Sequence, residues 1–460
     1  MANAVEAGPE KPRFKRVLTR WDLIVYGLAM LTPTAAYPVY GIVQNVSHGH
    51  AALSYLVAMV AMLFTAASYG KMAGAFPVAG STYTYAQRAL DPHIGFLAGW
   101  AMILDYFLIP LLSVIYPALT AARLIPAVPY AVWAILITVG ITVVNIRGIS
   151  VTAKASGVMT YIMSACAILF AGFAAAKVIR MAGFSALFSS QAFLEPQTFS
   201  LSPLMLGAGI AALSYIGFDA ISTLAEDTIH PERDISFATV FVCILQTVFC
   251  IGTVYLSSLV WRDYRTLPDV ETAILDVGKV AGGQLLFGIL LFVLMVAGLA
   301  SALTGQAGAS RLLFGMGRDG VISRRVFAHL DKRYSTPTRS IYLMGLVSMV
   351  GSLALRFQLA TELLNFGAFV GFILVNLSVI RHYYLRLRRR KGREFWTNLV
   401  FPALGALVSS YVWMSLTNMA KIVGFAWLGL GVIYLAVLTR GFRVPPKSLG
   451  TLSEGADNAG

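Results

Sequence analysis

Apolar residues fill this chain in long blocks, parted by short stretches rich in charge, Gly and Pro. About twenty consecutive apolar residues make an α-helix long enough to cross a hydrocarbon core. Twelve such runs are legible, at 21–44, 51–76, 95–122, 128–146, 150–179, 201–226, 236–261, 281–314, 338–357, 360–380, 398–418 and 422–439. The pattern predicts an all-α membrane protein of about twelve transmembrane helices. Two runs carry helix-breaking residues near their middle. The first reads Gly27-Leu-Ala-Met-Leu-Thr-Pro33-Thr-Ala-Ala-Tyr-Pro38-Val-Tyr-Gly41, and the sixth reads Gly207-Ala-Gly209-Ile-Ala-Ala-Leu-Ser214-Tyr-Ile-Gly217-Phe-Asp219.

Inside lipid an unpaired peptide group is expensive, so a broken helix persists only where protein or a watery cavity satisfies the freed groups. A matched pair of breaks, at corresponding places in two halves, is the strongest sequence pointer to a transporter binding site. Here the breaks head two units of five spans, 21–180 and 201–380, followed by two additional spans within 398–440. Five spans per unit force opposite membrane orientations, the arrangement of a five-plus-five inverted repeat. Polar tails are expected at 1–20 and 446–460, and a short amphipathic segment within 315–338.

Composition agrees with the pattern. Of 460 residues 58% are hydrophobic and only 12% charged, against roughly 25% charged in a typical soluble domain; mean hydropathy is +0.74. With a cytoplasmic N-terminus, 27 of the 35 Lys and Arg fall on the inner side. That asymmetry predicts both termini in the cytoplasm of a multi-pass cell-membrane protein, with a bacterial inner membrane as the expected site. The net charge of +14 follows from the same bias. Arg386-Leu-Arg-Arg-Arg-Lys-Gly-Arg393 directly follows a span and reads as a topology determinant and anionic-lipid contact, with no nucleic acid implied. Cys166, Cys243 and Cys250 lie inside spans and predict neither a disulfide framework nor a metal site.

Chemistry concentrates near the breaks. Pro33 removes a backbone donor and disfavours helix at Thr32. Were a new half-helix to start at Thr34–Ala36, Pro38 would fall in its first turn. The amides of Thr34, Ala35 and Ala36 would then face a cavity suited to an electron-rich group. At the second break Ser214 and Tyr215 offer hydroxyls, and the segment through Ile216 and Gly217 offers carbonyls able to accept from an ammonium. Close helix packing through small residues is the competing reading. Asp105 stands ten residues into the third span, about 15 Å deep. An acid there costs on the order of 2.5–3.5 kcal/mol on insertion scales and is usually functional. Tyr106 beside it adds a hydroxyl and a π face suited to an organic cation. Asp219 is a gate or proton-carrier candidate and Glu226 a second, while Asp227 reads as an interfacial helix-end charge. Lys154, near the cytoplasmic start of the fifth span, fits equally a lysine that snorkels to the surface.

These segments resemble the amino acid–polyamine–organocation permease superfamily, most closely its putrescine-importer branch, over about residues 20–445. The resemblance is carried by Gly27-Leu-Ala and Leu31-Thr-Pro33, Ser68-Tyr-Gly-Lys71, Ala79-Gly-Ser-Thr-Tyr-Thr-Tyr-Ala-Gln87, Asp91-Pro-His-Ile-Gly-Phe96 and Leu104-Asp-Tyr106. Gly217-Phe-Asp-Ala-Ile-Ser-Thr223, Ser310-Arg-Leu-Leu313, Met316-Gly-Arg-Asp319 and Asn365-Phe-Gly-Ala-Phe369 complete it. It implies a five-plus-five fold with substrate held between spans 1, 3, 6, 8 and 10. It also implies that Lys154 can replace, between spans 1, 5 and 8, the sodium ion of sodium-coupled relatives. Pro33-Thr34-Ala35 departs from the family's Gly-rich first break. Pro38 stands where the putrescine importers carry an acid, which leaves Asp105 as the clear midplane carboxylate and points toward a monoamine or amino acid.

The expected function is proton-coupled import of a small organic amine, a polyamine such as putrescine or an amino acid, by alternating access. In that scheme Asp105 and Tyr106 hold the ammonium, the breaks contribute backbone groups, and Lys154, Asp219 and Glu226 couple the proton. Exchange without net ion coupling is the alternative, and a permease-like sensor the reading from a different class. No enzyme activity, cofactor or metal is expected: the six His sit in loops or at span ends, and no nucleophile–base pair appears within the membrane.

Overall fold

A computed structural model describes residues 16–443, apart from 79, 271, 319, 321, 332 and 356. The tail segments 1–15 and 446–460, and Ala79 and Asp319 of the motifs above, lie outside the described residues.

The first helix starts where its sequence can cap it. Thr19 accepts from the Asp22 amide, and Asp22 returns the bond to the Thr19 amide at 2.8 Å, a reciprocal arrangement that satisfies two amides the helix cannot. Helix α1 (Arg20–Leu31) stops because Pro33 follows and Thr32 turns to φ 58°. Turns fill the gap until α2 (Tyr40–Val46). The second half-helix therefore starts at Tyr40, later than the Thr34–Ala36 start considered from sequence. Two prolines and a run of tight turns delay it: Ala35 N donates to Thr32 O and Tyr37 N to Thr34 O.

Next come α3 (Ala51–Ala75), α4 (Ser81–Ala89), α5 (Pro92–Leu124), α6 (Tyr130–Ile146) and α7 (Ile149–Ala182). The sequence pattern missed α4, a short and largely buried polar helix. Helix α8 (Leu201–Ala211) passes into 3-10 turns at Ala212–Tyr215, breaks at Ile216 and Gly217, and resumes as a 3-10 segment at Phe218–Leu224. Gly217 adopts φ 116°, where a side chain would be strained, and a Cβ there would meet Met30 Cγ at 2.8 Å.

Then follow α9 (Pro231–Val260), α10 (Ala273–Arg318), α11 (Arg324–Phe327), α12 (Thr338–Ala354) and α13 (Phe357–Val379), which continues in π-helical turns to Arg386. Helix α14 (Arg393–Phe395) leads through further π-helical turns to α15 (Phe401–Met414), and α16 (Asn418–Leu438) closes the described chain. Helix α10 starts earlier than the predicted span at 281: its leg Ala273–Ala281 bends away at Gly282 and Gly283. The connection expected at 262–280 is thus partly helical.

Apart from the two breaks the apolar runs fall mostly on helical backbone, and nine helical stretches among the described residues are long and apolar enough to cross a membrane. The protein is all-α; among the described residues the only strand-like contact is one isolated bridge, Leu18 with Thr228.

Three apolar clusters form the core, two of them large. One gathers side chains of α1, α3, α9 and the 3-10 segment, the other those of α5, α10 and α13. Lipid supplies no hydrophobic drive between helices, so contact depends on small residues that let backbones approach. A Cβ at Gly367 would stand 2.6 Å from Ala101 O and 3.0 Å from Asp105 N, and one at Gly308 would stand 3.2 Å from the Tyr106 ring. These close contacts hold α5 against α13 and α10, and so place the acid of α5 in the centre of the bundle.

Candidate functional site

Both breaks and the centre of α5 meet in the interior. On the first break Pro33, Thr34 and Ala36 are buried and Ala35 half-buried, while Pro38 is exposed. The Ala35 amide is satisfied within the turn by Thr32 O at 3.0 Å, and the Ala36 amide faces the Cys250 sulfur. Two of the three amides considered from sequence are thus engaged within the protein.

On the second break Ser214 shares a 3.0 Å hydrogen bond with the Tyr55 hydroxyl, and Tyr215 one of 3.1 Å with Thr247. Ile216 is half-buried and extended, and Gly217 completes the turn. Gln246 of α9, not singled out from sequence, links the two breaks. Its amide nitrogen donates to Thr32 O at 2.8 Å and to Ser214 O at 3.3 Å. The available signal was the one side-chain amide of its span, midway along it.

Asp105 is fully buried, and neither carboxyl oxygen meets a hydrogen-bond donor among the described residues. Asp219, 1% exposed, accepts from the Tyr106 hydroxyl at 2.7 Å. The two carboxyl groups lie within electrostatic reach of each other. Tyr106 therefore tethers the sixth span's acid beside the third span's. An aromatic wall adjoins them: Phe218 stacks on Phe372 at 5.2 Å, and Tyr69 meets Phe218 edge-on at 5.5 Å. Buried carboxyls beside π faces can hold an organic cation.

Toward the N-terminal end of α1, three ion pairs tie the bundle. Arg311 reaches Asp227 at 2.7 Å with both side chains 3% exposed, Arg318 reaches Glu226 at 2.6 Å, and Arg20 reaches Asp234 at 2.6 Å. Asp227 is consequently a buried partner of α10 and not the interfacial helix-end charge read from sequence. Glu226, considered for proton coupling, is engaged with Arg318.

Lys154 takes the surface position of a snorkelling lysine and not the place between spans 1, 5 and 8 that the resemblance implied. Its side chain is exposed on α7, because the face toward α1 is occupied by Ser156, Gly157 and Thr160. Thr160 Oγ1 reaches Val25 O at 3.4 Å, so α7 offers α1 a hydroxyl where an ammonium was expected. The three cysteines are free, and among the described residues no cluster of His, Cys, Asp or Glu could hold a metal ion.

Paired breaks around buried carboxyls in a bundle of spanning helices define a multi-pass membrane transporter. The amino acid permease family matches residues 25–441, and the chain belongs to that family. It is 32% identical to the low-affinity putrescine importer PlaP of Escherichia coli (strain K12), over 97% of this chain and 98% of that one. It is 24% identical to the branched-chain amino acid permease BcaP of Bacillus subtilis (strain 168), over 93% of each chain. Against the vacuolar cationic amino acid transporter 4 of Arabidopsis thaliana identity is 26%, over 79% of this chain and 62% of that one. The protein is a permease and not an enzyme.

Proposed function

We propose that the protein imports a small organic amine, a diamine of putrescine size before an amino acid, by proton-coupled alternating access. The observation that carries this reading is the pair Asp105 and Asp219, two buried carboxyls within electrostatic reach of each other, with Asp219 held by the hydroxyl of Asp105's neighbour Tyr106. A diamine wants two anionic partners, and Asp219 supplies the second acid that Pro38 does not. The family relationship and the name of the Escherichia coli relative support the same substrate class.

In this mechanism Asp105 and Asp219 bind the two ammonium ends, and Tyr106 keeps Asp219 oriented. The hydrocarbon of the substrate lies against Tyr69, Phe218 and Phe372. Carbonyls of the breaks at 32–39 and 214–217 add neutral acceptors. Units 21–180 and 201–380 are the proposed inverted repeats that rock about this site, with both termini in the cytoplasm.

Uptake of labelled putrescine, lysine and leucine into proteoliposomes under imposed pH or sodium gradients tests the proposal. Putrescine should accumulate under an inward pH gradient, and Asp105→Asn should lose at least tenfold of the uptake. Full uptake in that variant would remove the ammonium assignment. Sodium dependence with indifference to pH would remove proton coupling.

A further inference from the structure

Gln246 lies halfway along α9 and is fully buried. Its amide nitrogen has three acceptors in reach: Thr32 O at 2.8 Å, Ser214 O at 3.3 Å and Cys250 Sγ at 3.5 Å. The first two are main-chain carbonyls at the two interrupted helices, groups that lack a regular helical donor. Chemistry fixes which way the amide points, because turning it over would set Oε1 against two carbonyl oxygens. Oε1 itself meets no donor among the described residues. An amide buried with its oxygen unsatisfied costs free energy. Packing alone, which a leucine would serve better, does not account for it.

We infer that Gln246 is a positioning residue whose amide substitutes for the substrate's ammonium in the unloaded carrier. It bridges the two breaks and gives up their carbonyls when an amine arrives. The inference rests on the amine reading above. An –NH2 group presents two hydrogens to the two carbonyls, whereas an ammonium presents three and carries charge, which makes its hydrogen bonds stronger. Replacement therefore favours an amine over a neutral solute. The third ammonium hydrogen is then left for a carboxylate. Because one group joins both helices, its replacement links the relative position of the breaks to occupancy, as a differential contact must if it is to shift a conformational equilibrium.

Thermal unfolding of the purified full chain, with and without putrescine, separates this role from a packing role. The variants are Gln246→Leu, which removes both donors, and Gln246→Glu, which presents acceptors to acceptors. Each should unfold at a lower temperature than wild type when unloaded. In Gln246→Leu the rise in Tm on adding putrescine should be at least twice that of wild type, since ligand replaces the missing bridge. Uptake into proteoliposomes should fall at least tenfold in the same variant. A side chain that merely fills space would weaken loaded and unloaded forms alike. An unchanged putrescine-induced rise overturns the inference. Should Gln246→Leu fail to fold, Gln246→Asn, one methylene shorter, is judged by the same criterion. If no amine or amino acid raises the Tm of wild type, the substrate reading itself falls and this inference with it.

Discussion

Arg311 and Asp227 form an ion pair 2.7 Å long whose side chains are each 3% exposed, so α10 and the tail of the broken sixth span meet through charges withdrawn from water. Removing one member of such a pair leaves an unpaired buried charge and costs about 3–5 kcal/mol. Arg311→Met should therefore abolish folded protein on size-exclusion chromatography. Replacing both, Arg311→Met with Asp227→Leu, should recover folding by relieving the unpaired charge. Recovery of folding without uptake would assign the pair to gating; failure of the double variant to fold would make it structural.

Tyr106→Phe deletes the donor to the Asp219 carboxyl while keeping the ring against Gly308. Loss of a hydrogen bond to a charged group is worth about 1.5–3 kcal/mol. Apparent KM for putrescine should rise roughly tenfold or more, with folding intact by circular dichroism. An unchanged KM would detach Asp219 from substrate.

Gly217→Ala places a Cβ at φ 116°, 2.8 Å from Met30 Cγ. Strain of this kind costs about 1–3 kcal/mol. The variant should unfold several degrees lower than wild type, and a Met30→Ala background should relieve only the contact and not the backbone strain.

The N-terminal strap offers a conformational test. Leu18 N donates to Asp227 O, Ile229 N donates to Leu18 O, and Arg20 pairs with Asp234. Arg20→Ala should open this end of the bundle more often. A cysteine placed at Leu18 should then react faster with a membrane-impermeant maleimide applied from that side. Equal labelling rates would exclude the strap from closure.

Asp91 caps α5 by accepting from the His93 amide at 2.8 Å. Burial pushes its carboxyl up, but the hydrogen bonds and charge of His93 outweigh this and hold it below the ordinary aspartate value. A lowered folded-state value means the stabilisation is present above the unfolded pKa of about 3.9 and fades as pH falls through the folded one. Asp91→Ala should cost about 0.5–2 kcal/mol at neutral pH, and less when the two proteins are compared near pH 3.

Periodicity made the spans legible because lipid leaves the backbone few options: the apolar runs became mostly helix, and the Pro33 and Gly217 interruptions became breaks. Asp105 stood out because an acid in a long apolar run is rare. Finer placement depended on contacts between distant segments. Rotation about α7 decides whether Lys154 faces α1 or the surface, and the polar hydroxyls of Ser156 and Thr160 took the inner face. Asp227 lies near a span end by counting, yet Arg311, far along the chain, draws it inside. Gln246 has no charge or motif to mark it, and its partners Thr32 and Ser214 are main-chain carbonyls that no pattern of side chains reveals. Helix α4 is polar and short, so hydropathy passed over it.

The double-glycine bend in α10 divides one long rod into an upper arm and a lower shaft. Gly282 and Gly283 adopt backbone angles outside the helical range, so stiffness is not transmitted across them. The bend lets the arm of Ala273–Ala281 fold onto its own shaft and onto the far half of the first span, where a Cβ at Gly278 would meet Leu290 at 2.2 Å and one at Gly41 would meet Ala273 at 2.5 Å, so a single rod braces two parts of the bundle at once.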